Sequence, residues 1–250
     1  SLKSIGLIIV AAIFLFIMAD YVNACSMIAF QNLLDDSLQA IVNKPVEALV
    51  VVAILPAIIE EFLFRGMIYR GIANKSNKKI VIIISALLFA FLHMNFNQMC
   101  YAFVMGLVFA IVIYLTDNLS VSILLHMLFN AFTVIITCFE KSNAIQAILQ
   151  CNIAGYTLFN PSLTDTQGKI EISLLIIGGL IAILSAVIAG WLILLIAKTE
   201  KTTETTINNE NILKDNDNIF KNNENWKPDF RFFAGSGVCI LIAILYEILL

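Results

Sequence analysis

Long apolar runs separated by short polar connections dominate the pattern along the chain. A membrane-spanning helix needs about 20 mostly apolar residues, and no run alternates polar and apolar positions as a barrel strand does. Because lipid cannot satisfy backbone hydrogen bonds, each run is predicted to be a helix. The pattern therefore predicts an all-α, polytopic transmembrane helical bundle of about seven spans. The predicted spans are 4–30, 46–70, 80–97, 99–116, 119–139, 170–197 and 232–250.

The polar connections divide the chain into five predicted parts. The longest connection is rich in Asn and in charged residues, which is typical of a solvated linker. The core contains four predicted spans that follow one another closely. The parts are a first span and loop (1–45), a four-span catalytic core (46–139), an external loop with the sixth span (140–197), a polar linker (198–231) and a terminal span (232–250).

Composition supports the same class of protein. The chain is 60% hydrophobic and 13% charged, whereas a soluble domain is about a quarter charged. A water-soluble globule and a disordered chain are therefore excluded, and the net charge of −3 argues against a nucleic-acid partner. The five cysteines show no paired spacing and are interpreted as small apolar residues. We expect an integral membrane protein whose partners are the lipid bilayer and a membrane-associated substrate; in a bacterium this would be the plasma membrane.

The distribution of Lys and Arg predicts the orientation of the spans. If the chain starts in the cytoplasm and the spans alternate, eleven Lys and Arg residues fall on the cytoplasmic side and three on the outside. Cytoplasmic loops carry the excess of positive charge in membrane proteins. The predicted orientation therefore has a cytoplasmic start and an external loop at 140–169.

Glu60, Glu61 and Arg65 lie well inside the second predicted span, where each ionisable residue costs several kcal/mol. Glu61 and Arg65 are four residues apart, so they share a helix face and are predicted to form an ion pair. Glu60 is turned about 100° from Glu61 and should lack that partner. We interpret Glu60 as a general base and Glu61 as the electrostatic partner of Arg65. Pro56, four residues before Glu60, removes one helix hydrogen bond and is expected to kink the span.

Both histidines of the chain also fall at membrane depth. His93 lies in the third predicted span and His126 in the fifth. One histidine in an apolar helix is more often a core residue than a catalyst, but two beside a pair of glutamates favour a functional site. Asn130 follows His126 by one helical turn, so the imidazole and the carboxamide share a face and together offer the donors of an oxyanion hole.

Three motifs in this order resemble those of the CAAX prenyl protease and bacteriocin-processing (CPBP, or Abi) intramembrane proteases. They are Glu-Glu-x-x-x-Arg at 60–65, Phe-x-x-x-His at 89–93 and His-x-x-x-Asn at 126–130. The resemblance covers about residues 45–135. It implies a helical bundle with a polar active site, buried in the membrane, that cuts a peptide bond.

The resemblance also implies a role for each motif residue. Glu60 and His93 would activate the water, and His126 and Asn130 would stabilise the oxyanion. Arg65 would hold Glu61. These roles agree with the interpretation from spacing. The predicted function is an intramembrane endopeptidase acting on a membrane-associated protein or peptide, of CAAX type or of bacteriocin or pheromone type.

Other readings of the same residues remain open at this point. Without a cofactor, Glu60 and His93 activate the water directly, which is the favoured route. Alternatively Glu60, His93 and His126 bind Zn²⁺, which lowers the pKa of its bound water. A non-catalytic immunity or scaffold protein and a proton-coupled transporter are the non-enzymatic alternatives. No duplicated half, as expected of many transporters, is evident in the sequence.

Overall fold

The computed structural model describes residues 2–30, 43–73, 77–165 and 168–214. They form a helical bundle with one small antiparallel hairpin, which confirms the predicted all-α class. The helices are α1 (Leu2–Met27), α2 (residues 45–73), α3 (Lys78–Leu92), α4 (Phe96–Thr116), α5 (Leu119–Cys138), α6 (Asn143–Leu149) and α7 (Ile172–Lys214). The hairpin consists of β1 (Asn152–Ile153) and β2 (Tyr156–Thr157).

Helix α2, which carries the predicted charges, is not a regular α-helix. Two of its stretches are π-helical, and such wide turns often occur at functional sites. Pro56 follows the first of them and contributes no N–H to the helix. In order, α2 consists of Pro45–Ala48 (α), Leu49–Ile54 (π), Leu55–Glu61 (α), Phe62–Tyr69 (π) and Arg70–Ala73 (α).

Four helical segments of the described residues are long and apolar enough to cross a membrane: Leu2–Met27, Phe96–Thr116, Leu119–Cys138 and Ile172–Thr202. Helix α3 has 15 residues, about 22 Å, which is shorter than the hydrocarbon core of about 30 Å. The predicted span at 232–250 lies outside the described residues. An integral membrane bundle is therefore confirmed, whereas the count of seven spans stays a prediction.

Polar contacts join several helices at one end of the bundle. The Glu200 carboxylate of α7 accepts hydrogen bonds from Ser4 Oγ of α1 at 2.6 Å and from Asn118 Nδ2 at 2.8 Å. Arg70, at the end of α2, pairs with Asp117 Oδ1 at 3.0 Å. The predicted orientation assigns all five residues to the cytoplasmic side, and their contacts place them at a common end.

The connection after α5 contains the short helix α6 and the hairpin. Helix α6 ends at Leu149, and the chain then turns through Ala154 and Gly155, both with positive φ. The hairpin buries Tyr156 against α7, where a Cβ at Gly178 would overlap the Tyr156 ring. Burial raises the pKa of the Tyr156 phenol above its ordinary value.

Helix α7 extends beyond the predicted boundary of the polar linker. The linker was expected at 198–231, whereas the helix continues to Lys214. Residues 198–214 are therefore helical, and the rest of the predicted linker lies outside the described residues. The division into five parts stays a prediction.

Candidate active site

A fully buried ion pair lies at the centre of the candidate site. Arg65 Nη1 donates to Glu61 Oε1 at 2.8 Å, and both side chains have 0% exposure. The guanidinium also donates through Nη2 to the Gly106 carbonyl oxygen of α4 at 2.9 Å. Its Cζ lies 4.4 Å from the centre of the Phe89 ring, in the range of a cation–π contact. The predicted Glu61–Arg65 pair is therefore present, and two further helices hold the arginine.

Gly106 allows these helices to approach closely. A Cβ at this position would lie 3.1 Å from Ala86 Cα of α3, which is tighter than ordinary van der Waals contact. Glycine therefore lets α3 and α4 cross near the point where the Gly106 carbonyl receives Arg65.

One face of α5 presents three polar side chains to α2. Ser122, His126 and Asn130 are spaced four residues apart, so they lie one above the other on the helix. Ser122 Oγ donates to Glu61 Oε2 at 2.6 Å, and His126 Nδ1 lies 3.1 Å from Glu61 Oε1. Because an ionised carboxylate only accepts, His126 donates through Nδ1. Glu61 is thus held by donors from its own helix and from α5.

Asn130 contacts the same helix further along. Its Nδ2 donates to the Val52 carbonyl oxygen at 3.2 Å. In a regular α-helix that oxygen would accept the N–H of residue 56, which Pro56 lacks. A side chain of α5 thus supplies a donor to this oxygen. The Asn130 amide carries two N–H groups, so this contact uses only one of them.

Glu60 lies next to the same imidazole. Its side chain is buried, and its Oε2 is 3.9 Å from His126 Nε2. His126 therefore lies between the two glutamates, with Nδ1 toward Glu61 and Nε2 toward Glu60. The sequence analysis placed His126 with Glu60 and assigned Glu61 to Arg65 alone. The structure adds the hydrogen bond between His126 and Glu61.

His93 is the first residue after α3, and it is linked to the rest of the site by packing against Phe89. Its Nδ1 donates to the Phe89 carbonyl oxygen at 3.1 Å, which leaves Nε2 as the acceptor nitrogen of a neutral ring. The Phe89 ring centre is 5.3 Å from that of His93 and 5.6 Å from that of His126. One phenyl ring therefore packs edge-on against both imidazoles.

The turn after His93 is fixed by polar contacts. Met94, the second residue after α3, has a positive φ of 48°, and Asn95 caps α4 by accepting from the Asn97 N–H at 2.9 Å. Asn97 Nδ2 in turn donates to Ser26 Oγ of α1 at 2.6 Å. The third predicted span, 80–97, is thus interrupted at the residue that the motif identifies as catalytic.

The candidate zinc ligands are only partly close to one another. His126 Nε2 lies 3.9 Å from Glu60 Oε2, and its Nδ1 is directed to Glu61. Across the described residues, no group of three His, Cys, Asp or Glu side chains is placed to hold a metal ion. A histidine that binds a metal through one nitrogen often bonds a carboxylate through the other, so the metal-free route and the zinc alternative both stay predictions.

Ser122 is a site residue that the sequence analysis missed. It lies one helical turn before His126, so an i, i+4 search around each motif residue would have found it. Its hydroxyl bonds the Glu61 carboxylate directly.

The predicted resemblance is confirmed by comparison with known proteins. Residues 42–132 match the family described as type II CAAX prenyl endopeptidase Rce1-like. All six predicted site residues, and Ser122, lie inside this match. The chain thus contains a CAAX-protease-like region within a membrane bundle, and the match supports a protease, a hydrolase.

A curated relative agrees with this class. The chain is 34% identical over 116 residues to the membrane-embedded CAAX protease MroQ of Staphylococcus aureus (strain USA300). The aligned stretch covers 44% of this chain and 47% of the relative, so the chain spans about half the length of the curated relative it matches. No solved structure matches the chain.

Proposed function

We propose that the protein is an intramembrane endopeptidase that hydrolyses a peptide bond of a membrane-associated protein or peptide. The observation that carries this proposal is the buried arrangement in which His126 lies between Glu60 and Glu61. An arrangement of this kind is costly in an apolar bundle, and ionisable groups at membrane depth are functional by default. The match of residues 42–132 to CAAX endopeptidases supports the same reaction class.

In the proposed reaction Glu60 is the general base. It removes a proton from a water molecule, and the water oxygen attacks the carbonyl carbon of the scissile peptide bond. His93, with Nε2 as its acceptor nitrogen, assists in orienting that water. The proton held by Glu60 then passes to the leaving amine as the C–N bond breaks. The products are a carboxylic acid and a free amine, which together ionise to a carboxylate and an ammonium group, so atoms and charge balance without a cofactor.

His126 and Asn130 are proposed to stabilise the negative oxygen of the tetrahedral intermediate. With protons on both nitrogens, His126 donates to Glu61 through Nδ1 and to the oxyanion through Nε2. Asn130 contributes the amide N–H that is not bonded to Val52. The proposed route is the metal-free one of the two that the sequence leaves open.

The proposed substrate is a CAAX-type protein or a peptide of the bacteriocin or pheromone type. The relative is named as a CAAX protease, which supports the first of these. The alternative to an enzyme is a membrane scaffold or immunity protein that binds such a peptide without cutting it. The two differ in whether new peptide ends are formed.

Peptide profiling by mass spectrometry tests the proposal. Cells that express the wild-type chain, Glu60→Gln or Glu47→Gln are compared for peptides with new ends. Glu47 is a matched control because it lies on the same helix but is exposed, with 66% of its side chain accessible. We expect the same new peptides with wild type and Glu47→Gln, and none with Glu60→Gln. Equal products from all three would refute the role of Glu60.

A further inference from the structure

Ser122 makes one of the shortest buried side-chain contacts of the site. Its Oγ donates to Glu61 Oε2 at 2.6 Å, and the serine is fully buried. The other oxygen, Oε1, receives both Arg65 Nη1 and His126 Nδ1. The two carboxylate oxygens are thus engaged by different partners, with Ser122 on one and the two basic groups on the other.

This division has a consequence for His126. A carboxylate can turn about its Cγ–Cδ bond, and a buried oxygen without a donor is costly. Without the hydroxyl, the plane of the Glu61 carboxylate loses one of the contacts that fix its rotation, so the oxygen that receives His126 Nδ1 can move out of line with it. The His126 ring is then held less firmly through its Nδ1, and its Nε2 is less firmly directed toward Glu60.

We propose that Ser122 is a positioning residue: its hydroxyl holds the Glu61 carboxylate in the rotation that receives Nδ1 of His126, and this directs Nε2 to the reaction site. The catalytic consequence rests on the proposed endopeptidase function. The effect on the imidazole itself is independent of that function, so the two can be tested separately.

Ser85 provides a matched control for a buried serine hydroxyl. It is also buried, lies on α3, and donates to a backbone oxygen of α2, that of Phe64, at 3.3 Å. Ser85→Ala therefore also removes a buried hydroxyl that joins a neighbouring helix to α2, but this hydroxyl does not contact Glu61. A general packing effect would appear in both alanine variants, whereas a positioning effect would appear only in Ser122→Ala.

Imidazole nitrogen NMR tests the positioning directly. The chain contains two histidines, so nitrogen-15 labelling of histidine in detergent-solubilised protein gives two ring systems, assigned with His93→Gln. We expect Ser122→Ala to shift the His126 nitrogen signals and leave those of His93 unchanged. Ser122→Thr, which keeps a hydroxyl, should restore the His126 signals, and Ser85→Ala should leave both rings unchanged.

The proposal is overturned if the His126 signals of folded Ser122→Ala equal those of the wild type. If the alanine variant does not fold, Ser122→Cys replaces it, because a thiol is a weak donor of similar size. The same shift is then expected, and its absence is equally decisive. Thermal melting establishes folding for each variant.

Kinetics on a peptide recovered by the cellular comparison tests the catalytic consequence. Losing one hydrogen bond to a charged group predicts about a 10- to 100-fold lower kcat with an unchanged KM. An unchanged kcat alongside a shifted His126 signal would refute the positioning role. If Ser122→Ala shifts the His126 signals but the wild type cuts no peptide, the positioning of His126 by Ser122 and Glu61 stands and the proposed endopeptidase function is refuted.

Discussion

Replacing Glu61 by Gln should destabilise the protein far more than the same change at its neighbour Glu60. Glu61 and Arg65 are in contact at 2.8 Å with no exposure to solvent. Removing one partner of a buried pair costs about 3–5 kcal/mol because the other charge stays buried. For a domain of this size that corresponds to a fall in Tm of about 6–20 °C. Glu60→Gln leaves Arg65 paired, so its Tm should change little.

A second substitution tests whether the Tm of Glu61→Gln falls because the Arg65 charge is left without a partner or only because packing is lost. Arg65→Met in the Glu61→Gln background removes that charge and should recover part of the lost Tm. Recovery should be incomplete, because methionine cannot replace the hydrogen bond to Gly106 or the contact with Phe89. Melting curves in one detergent are the assay. The reasoning is wrong if Glu60→Gln is the unstable variant and the one that Arg65→Met rescues.

Three further predictions concern orientation, metal and packing. Cys151 is exposed in the α6–β1 connection, so an impermeant thiol reagent should label it in intact cells. A cysteine placed at Lys78 should be protected from the same reagent. The reverse pattern would invert the predicted topology. The purified protein should keep its activity in EDTA and 1,10-phenanthroline; one zinc per chain, lost with activity in His126→Ala, would establish the zinc route. Gly106→Ala should lower the Tm because its Cβ would press on Ala86 at 3.1 Å, and an unchanged Tm would show that α3 and α4 separate freely.

Spacing within one helix predicted part of the site, because it depends only on local geometry. The i, i+4 rule correctly paired Glu61 with Arg65 and placed His126 and Asn130 on one face. It does not say which groups of another helix that face meets. The hydrogen bonds from His126 to Glu61 and from Asn130 to Val52 depend on how α5 packs on α2, so they were not predicted.

Hydropathy predicted the bundle but not where its helices break. Apolar composition continues through residues 80–97, yet the positive φ of Met94 and the Asn95 cap divide this run into two helices. The loss of one helix hydrogen bond at Pro56 was predicted, because it depends only on the missing N–H of proline. The π-helical turns on either side of Leu55–Glu61 were not expected, because no pattern of apolar and polar residues in the sequence indicates them.

Hydrolysis in oxygen-18 water tests the central claim most directly. Membranes that contain the wild-type chain or Glu60→Gln are incubated in labelled water, and newly formed peptide ends are analysed by mass spectrometry. A water molecule activated by Glu60 predicts new carboxyl ends that carry oxygen-18 with the wild type and none with Glu60→Gln. New ends that form equally in both membranes, or no new ends with the wild type, would contradict an intramembrane endopeptidase that uses Glu60 as its base.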